Sequence, residues 1–275
     1  MGMTRRTASL LAVFALVVTA CAPGGSEPIV LPDDPDAPIL QVREEGGLLP
    51  VEYLLALGPR YTLLADGRLI HTGVSVGAYP GPLVPGYVVT ALDAEAMDSI
   101  LGLVAEMGLP RIDFEYDDSA ASRVMDAGNT VIVYWDQQGE HVYSVYALGL
   151  GEFSSGRSTK AAEELRTLLD RLAVETPSQP YQPVRVRVLV GVGVLDPELD
   201  DVRDWPLAET DLSTWTPVET PFGEPWACRI YGPDIIDVFA DATQATRWRS
   251  PAGDGSTYTL LVRPLHPGEP DCPGF

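Results

Sequence analysis

Ser75 stands in Gly73-Val74-Ser75-Val76-Gly77, a G-x-S-x-G run. In a hydrolase such a run is a sharp strand-to-helix turn that exposes a nucleophilic serine. A strand candidate does precede it, but Ala78-Tyr79-Pro80-Gly81-Pro82-Leu83-Val84-Pro85-Gly86 follows. Prolines so placed cannot carry a helix forward, because each lacks an N–H and clashes with the preceding turn. No catalytic residue is therefore assigned. A cell-surface hydrolase using Ser75 or a carboxylate pair is kept as the alternative. The histidines, His71, His141 and His266, share no metal-ligand spacing. His71 and His141 fall in hairpin candidates and read as half-exposed strand residues. Acids cluster at Asp113, Glu115, Asp117 and Asp118, and again at Asp196, Glu198, Asp200 and Asp201. Oxygen clusters can hold Ca²⁺, but neither cluster has a defined loop spacing, and both read as solvated surface. No metal and no cofactor are expected.

Binding is the remaining chemistry. The loop 77–86 is stiffened by its prolines and lies between a hairpin and a helix, a place where recognition often sits. Tyr79, Pro80, Pro82 and Pro85 are its candidate binding residues. Charge narrows the partners. With 39 acids against 18 bases the formal net charge is −21. So acidic a chain repels phosphate backbones, so no nucleic acid is expected as a partner. It also lacks the polybasic patch that holds a protein on anionic lipid. An apolar content of 45% is that of a globular chain.

The elements that must position this loop show a weak internal repeat. Arg60–Leu64 and Arg68–His71 flank Ala65-Asp66-Gly67, a hairpin signal because glycine enters positive φ freely. A helix follows, with Asp93 as N-cap, Met97, Ile100, Leu101 and Val104 on one face, and Gly108 as its stop. The order recurs: Thr130–Trp135 and His141–Ala147 flank Asp136-Gln137-Gln138-Gly139. A second helix then buries Leu165, Leu168, Leu169 and Leu172. Two ββα units predict an α+β fold, a four-stranded antiparallel sheet with both helices on one face. Beyond Pro177, Pro180 and Pro183, valines at 184, 186, 188, 190, 192 and 194 alternate with other residues, predicting a long strand with a bulge or bend near Gly191. A short helix near 233–242 and a hairpin of Thr246–Arg249 with Thr257–Val262 complete a smaller C-terminal α+β unit.

The N-terminus is a different kind of signal. Arg5 and Arg6 precede an apolar stretch to Val18, then Val18-Thr19-Ala20-Cys21. That order is a signal peptide over 1–20. Its end resembles the lipobox of bacterial lipoproteins. The resemblance implies cleavage before Cys21 and diacylglycerol on its thiol, a lipid anchor on the extracytoplasmic face of the membrane. Residues 21–40 form a proline-rich tether reaching roughly 50 Å. The α+β domain spans 41–175, a linker 176–183, and the C-terminal unit 184–275. With Cys21 lipidated, Cys228 and Cys272 remain, and in an oxidising compartment they are expected to pair and close that last unit.

Tyr61-Thr62-Leu63, Asp66-Gly67-Arg68, Leu92-Asp93, Asp126 with Thr130, Gly139 and Tyr146-Ala147-Leu148-Gly149 run in one order. Cys228, Trp248, Tyr258, Arg263-Pro264-Leu265 and Cys272 stand near the end. The pattern resembles secreted proteins and lipoproteins of high-GC Gram-positive bacteria that share a domain of unknown function. The resemblance implies a location and a fold but brings no activity. The expected role is thus a non-catalytic binding or interaction module, anchored through Cys21, with an envelope protein or polymer as partner.

Overall fold

The computed structural model describes residues 29–73, 79–108, 114–116, 126–137, 139–148, 157–173, 178–193, 201–220 and 225–272. Cys21, the start of the tether, Ser75 and the acids at 113, 117, 118, 196, 198 and 200 lie outside them.

The chain is α+β and builds two sheets. The first contains β1 (Pro38–Gly46), β2 (Tyr61–Leu64), β3 (Arg68–Thr72), β4 (Tyr87–Ala91), β5 (Phe114–Tyr116), β6 (Gly128–Asp136), β7 (Gly139–Tyr146) and β8 (Gln179–Pro180). Their spatial order is β5-β7-β6-β1-β2-β3-β4-β8, antiparallel throughout except β5 beside β7. Both predicted hairpins form, at Gly67 (φ +86°) and Gly139 (φ +132°). The expected four strands become eight because the hairpins never touch. β1 lies between them, pairing with β2 on one side and β6 on the other. Each hairpin would otherwise leave a row of unpaired backbone groups. β1 starts at Pro38, inside the stretch read as tether, so the last residues of that stretch are sheet rather than spacer.

Helices α2 (Ala94–Glu106) and α3 (Arg157–Leu172) cover one face of this sheet. Asp93 caps α2 by accepting from the Ala96 N–H at 2.8 Å, and Gly108 ends its last turn at φ +77°. Ile100 and Val104 of α2 meet Leu165, Leu168 and Leu172 of α3 over Ile39, Val42, Leu63, Leu69 and Ile132. The opposite face has a smaller cluster of Leu64, Ile70 and Tyr87.

The second sheet runs β10 (Asp201–Arg203), β13 (Thr246–Arg249), β14 (Thr257–Pro264), β9 (Val186–Val192), β12 (Trp226–Tyr231) and β11 (Thr216–Val218). A single turn of helix, α4 (Ile235–Val238), precedes β13. Val186, Val188 and Val190 share one face, as their alternation predicts, packed on Trp215, Phe239, Trp248 and Leu260. The run is shorter than the valines suggest: Val184 and Val192 lie beyond the core, 81% and 62% exposed. No bulge occurs at Gly191, which pairs with Thr259 in the unbroken register of β9 with β14. Its role is space. A Cβ there would sit 2.5 Å from the Trp226 indole.

The second sheet is buried on both faces because the first part of the chain makes two excursions onto it. The short helix α1 (Val51–Ala56) inserts Leu55 among Leu189, Val218, Trp226 and Cys228. The loop before β4 inserts Leu83 among the valines of the other face. The two units therefore share cores, and Gln179–Pro180, within the stretch expected as a linker, pairs with β4 as a strand of the first sheet. Cys228 and Cys272 form the expected disulfide, with Cα atoms 6.0 Å apart and 44 positions between them. Closing such a loop is worth roughly 4 kcal/mol in the chain-entropy account.

Gly191→Ala forces a methyl group into the Trp226 ring and is expected to destabilise the protein by about 1–3 kcal/mol. Urea unfolding followed by tryptophan fluorescence measures it; an unchanged midpoint would show that Trp226 repacks without cost.

Candidate functional site

The junction between the sheets is organised by two arginines. Register places Arg187 of β9 directly opposite Arg263 of β14. Both side chains are buried. Like charges opposite each other on adjacent strands repel, and a buried charge is costly unless paired. The chain end supplies the partners. Glu269 receives Arg263 in a two-pronged ion pair at 2.9 and 2.7 Å, with both side chains under a tenth exposed. Arg187 donates instead to the carbonyls of Asp271 (2.7 Å) and Pro270. Burial and the neighbouring Arg263 charge pull Arg187 down to about 10. For Glu269, burial pushes upward, but the Arg263 charge and hydrogen bonds outweigh it and hold the carboxyl below its ordinary value. Arg263 also meets the first unit. Its positive charge faces the Tyr87 phenol, countering part of the rise that burial imposes on that hydroxyl, and it lies so close to Gly58 that any Cβ there would overlap both groups.

His266 continues the cluster. It is 0% exposed, and Tyr87 and Tyr181 set their rings edge-on to it at 4.5 and 5.6 Å. Its Nδ1 shares a hydrogen bond with the Thr62 hydroxyl at 2.8 Å. Its Nε2, like Arg263 Nε, has no hydrogen-bond partner among the described residues. Burial, reinforced by the Arg263 charge, pushes the imidazole down to about 4, with Glu269 pulling the other way. His266 is thus neutral at ordinary pH, a cross-unit strut rather than a base.

Two clefts flank this cluster, with Tyr181 on the wall of both. The larger, about 310 Å³, is walled mainly by rings: Pro82, Pro85, Tyr87, Tyr181, Phe239 and Pro264. The smaller, about 290 Å³, is more polar, with Arg68, Arg185 and Asp36 around Leu64 and Leu265. Of the candidate loop, Pro82 and Pro85 line the larger cleft. Tyr79 is 64% exposed and joins Pro80 through a cis peptide bond. The loop is also an anchor. Leu83 N–H donates to Ala242 O, Gln244 N–H donates to Gly81 O, and Pro82 bridges to Thr243. The described part of the proline-stiffened candidate loop, from Tyr79 on, is thereby pinned as one wall of a groove.

The other candidates are dispersed. His71 lies on β3, sharing hydrogen bonds with Thr90 Oγ1 and the Thr72 carbonyl. His141 lies on β7 beside Asp136 at 3.2 Å. Asp201 pairs with Arg203, and Glu115 lies on β5. Sequence reasoning passed over the arginine pair. The available signal was Arg185 and Arg187 interleaved with valines, set against Glu269 and Asp271 after the closing strand. Compared with protein-family models, curated proteins and solved structures, the chain matches none.

Two outcomes follow from this site. Glu269→Gln leaves Arg263 buried without its counter-charge and is expected to cost about 3–5 kcal/mol, read as a lowered denaturant midpoint. The pH dependence comes from His266, whose folded value of about 4 lies below its ordinary 6.5. Between those values the unfolded chain binds the extra proton, so stability is full above pH 6.5 and falls toward pH 4, by about 3 kcal/mol in total. Relief of the chain's acidic self-repulsion acts in the opposite direction. The clean measurement is therefore the difference between wild type and His266→Asn: the variant's midpoint should vary less across that window. Parallel curves would refute the assignment to His266.

Proposed function

We propose that this protein is an exported lipoprotein of the bacterial cell envelope whose folded part is a non-catalytic binding module. Lipid on Cys21 holds it on the extracytoplasmic face of the membrane, and the proline- and tyrosine-walled groove at the sheet junction receives an envelope protein or polymer. The groove is the observation that carries the binding reading. Its walls are rigid rings on anchored backbone, a surface suited to an extended apolar or aromatic-bearing chain. The lipobox, the small residues before Cys21 and the prolines after it support the location. A disulfide is the pairing that an oxidising compartment favours. No helix among the described residues is long and apolar enough to cross a membrane.

Cys21→Ser is expected to move the protein from the membrane fraction to the soluble one; unchanged fractionation would refute the anchor. In the membrane-anchored wild type, crosslinking and mass spectrometry should recover a partner that Ala240→Arg, at the exposed rim of the groove, loses while thermal stability is kept. Equal recovery with both proteins would place recognition elsewhere. A fluorophosphonate probe should leave Ser75 unmodified, and stoichiometric labelling there would turn the reading to a hydrolase.

A further inference from the structure

We propose that the larger groove takes an extended, arginine- or lysine-bearing segment of another protein, with its cationic side chains over Asp234 and Asp237 and its apolar ones between the rings. This rests on the groove being a binding surface and names the chemistry of what fills it. The observation behind it is a contrast between lining and rim. Among the described residues, no charged side chain lines the groove. Five of its lining residues, Pro82, Pro85, Pro180, Pro183 and Pro264, have no backbone N–H to donate. An occupant is therefore held more by burial of apolar surface than by hydrogen bonds to the walls.

The rim on the α4 side is charged, and of one sign. Ile236, Phe239 and Ala240 bring α4 and the turn after it to the groove. The backbone here winds in three-residue steps: Phe239 N–H donates to Ile236 O, and Ala240 N–H donates to Asp237 O. Residues three apart then lie one above the other. Asp234 and Asp237 thus align with Ala240, which lines the groove, and Asp241 follows it directly in the chain. All three acids are exposed. None forms an ion pair with a described residue. Arg203 reaches this turn, but its charge is paired with Asp201 and its bond here is to the Asp241 carbonyl. Asp234 precedes α4 without capping it. These carboxylates are therefore not spent on the fold.

The classes of envelope partner separate on this contrast. A phosphate-bearing polymer meets the aspartate rim as like charge, on a chain whose net charge is −21. A polysaccharide would give up water at its hydroxyls against walls short of N–H donors. A basic polypeptide segment meets neither obstacle. Opposite charge at the rim steers it in, and its apolar side chains fill the space between the rings. Prolines in the segment suit such walls further, because a polyproline stretch is already extended and docks well in ring-lined grooves.

Fluorescence anisotropy on the folded, disulfide-bonded chain tests this. The probe is a rhodamine-labelled, C-terminally amidated peptide, Pro-Leu-Pro-Arg-Pro-Leu-Pro-Arg-Pro, set beside copies with Glu or Gln in place of Arg. The arginine probe should bind most tightly, and Ala240→Arg should lose it. Asp234→Asn with Asp237→Asn should weaken it by roughly fivefold. Asp98→Asn with Glu106→Gln removes the same charge from exposed positions on α2 and should leave binding unchanged. Equal binding of the three probes, or an equal effect of the two variant pairs, would overturn the proposal, while loss of binding with Ala240→Arg would still uphold the groove. No binding of any probe, with the crosslinked partner still lost by Ala240→Arg, would also overturn it and give the groove to an occupant of another class. If Ala240→Arg loses neither probe nor partner, groove and proposal fall together.

Discussion

Two arginines facing each other across a buried strand pair set the terms for the rest of this structure. Arg187 and Arg263 lie on the central strands of the second sheet, on the face that also presents Leu189 and Leu261. That face cannot be left to water, because its apolar residues need cover. It cannot be closed by apolar groups alone, because two guanidinium groups would be stranded. The solution is asymmetric. One arginine receives a full counter-charge from Glu269, and the other receives carbonyl oxygens from Pro270 and Asp271. The whole supply comes from Glu269, Pro270 and Asp271, the three residues just before the disulfide-bonded Cys272.

The same constraint explains why the two units are not independent. The six-residue α1 is too short to be stable by itself, yet it carries Leu55 onto the arginine-bearing face of the second sheet. On the opposite face, Leu83 arrives from the proline loop and joins the valine core. The second sheet is thus clamped between two excursions of the first unit, and the chain end threads the remaining gap. Thr62, Tyr87 and Tyr181 line that gap and surround His266, whose neutrality follows from burial. Such a junction suits a binding surface, because its walls come from sequence segments far apart and are held by several independent contacts. The larger cleft draws its walls from the proline loop, Pro180, Tyr181 and Pro183, α4 with the turn after it, and the end of β14.

The sequence alone determined the local elements. Asp66-Gly67 and Gly139 dictate their turns because glycine takes positive φ at little cost. Asp93 and Gly108 bound α2 because its end groups need partners. Leucines at helical spacing and valines at strand spacing chose their faces. These signals are short-range, carried by residues within a turn or a strand of one another. Long-range assembly was decided only in three dimensions. Nothing within Pro38–Gly46 says that it pairs with both hairpins, since its partners lie about twenty and ninety positions away. The run Tyr79–Gly86 reads only as a proline-stiffened loop because the site that receives Leu83 lies in a sheet encoded a hundred residues later. Arg187 and Arg263 look like ordinary surface charges until register sets them face to face, and Glu269 becomes essential only because of that pairing. Burial and electrostatic cost depend on what lies across the fold, and tertiary structure alone supplies that neighbour.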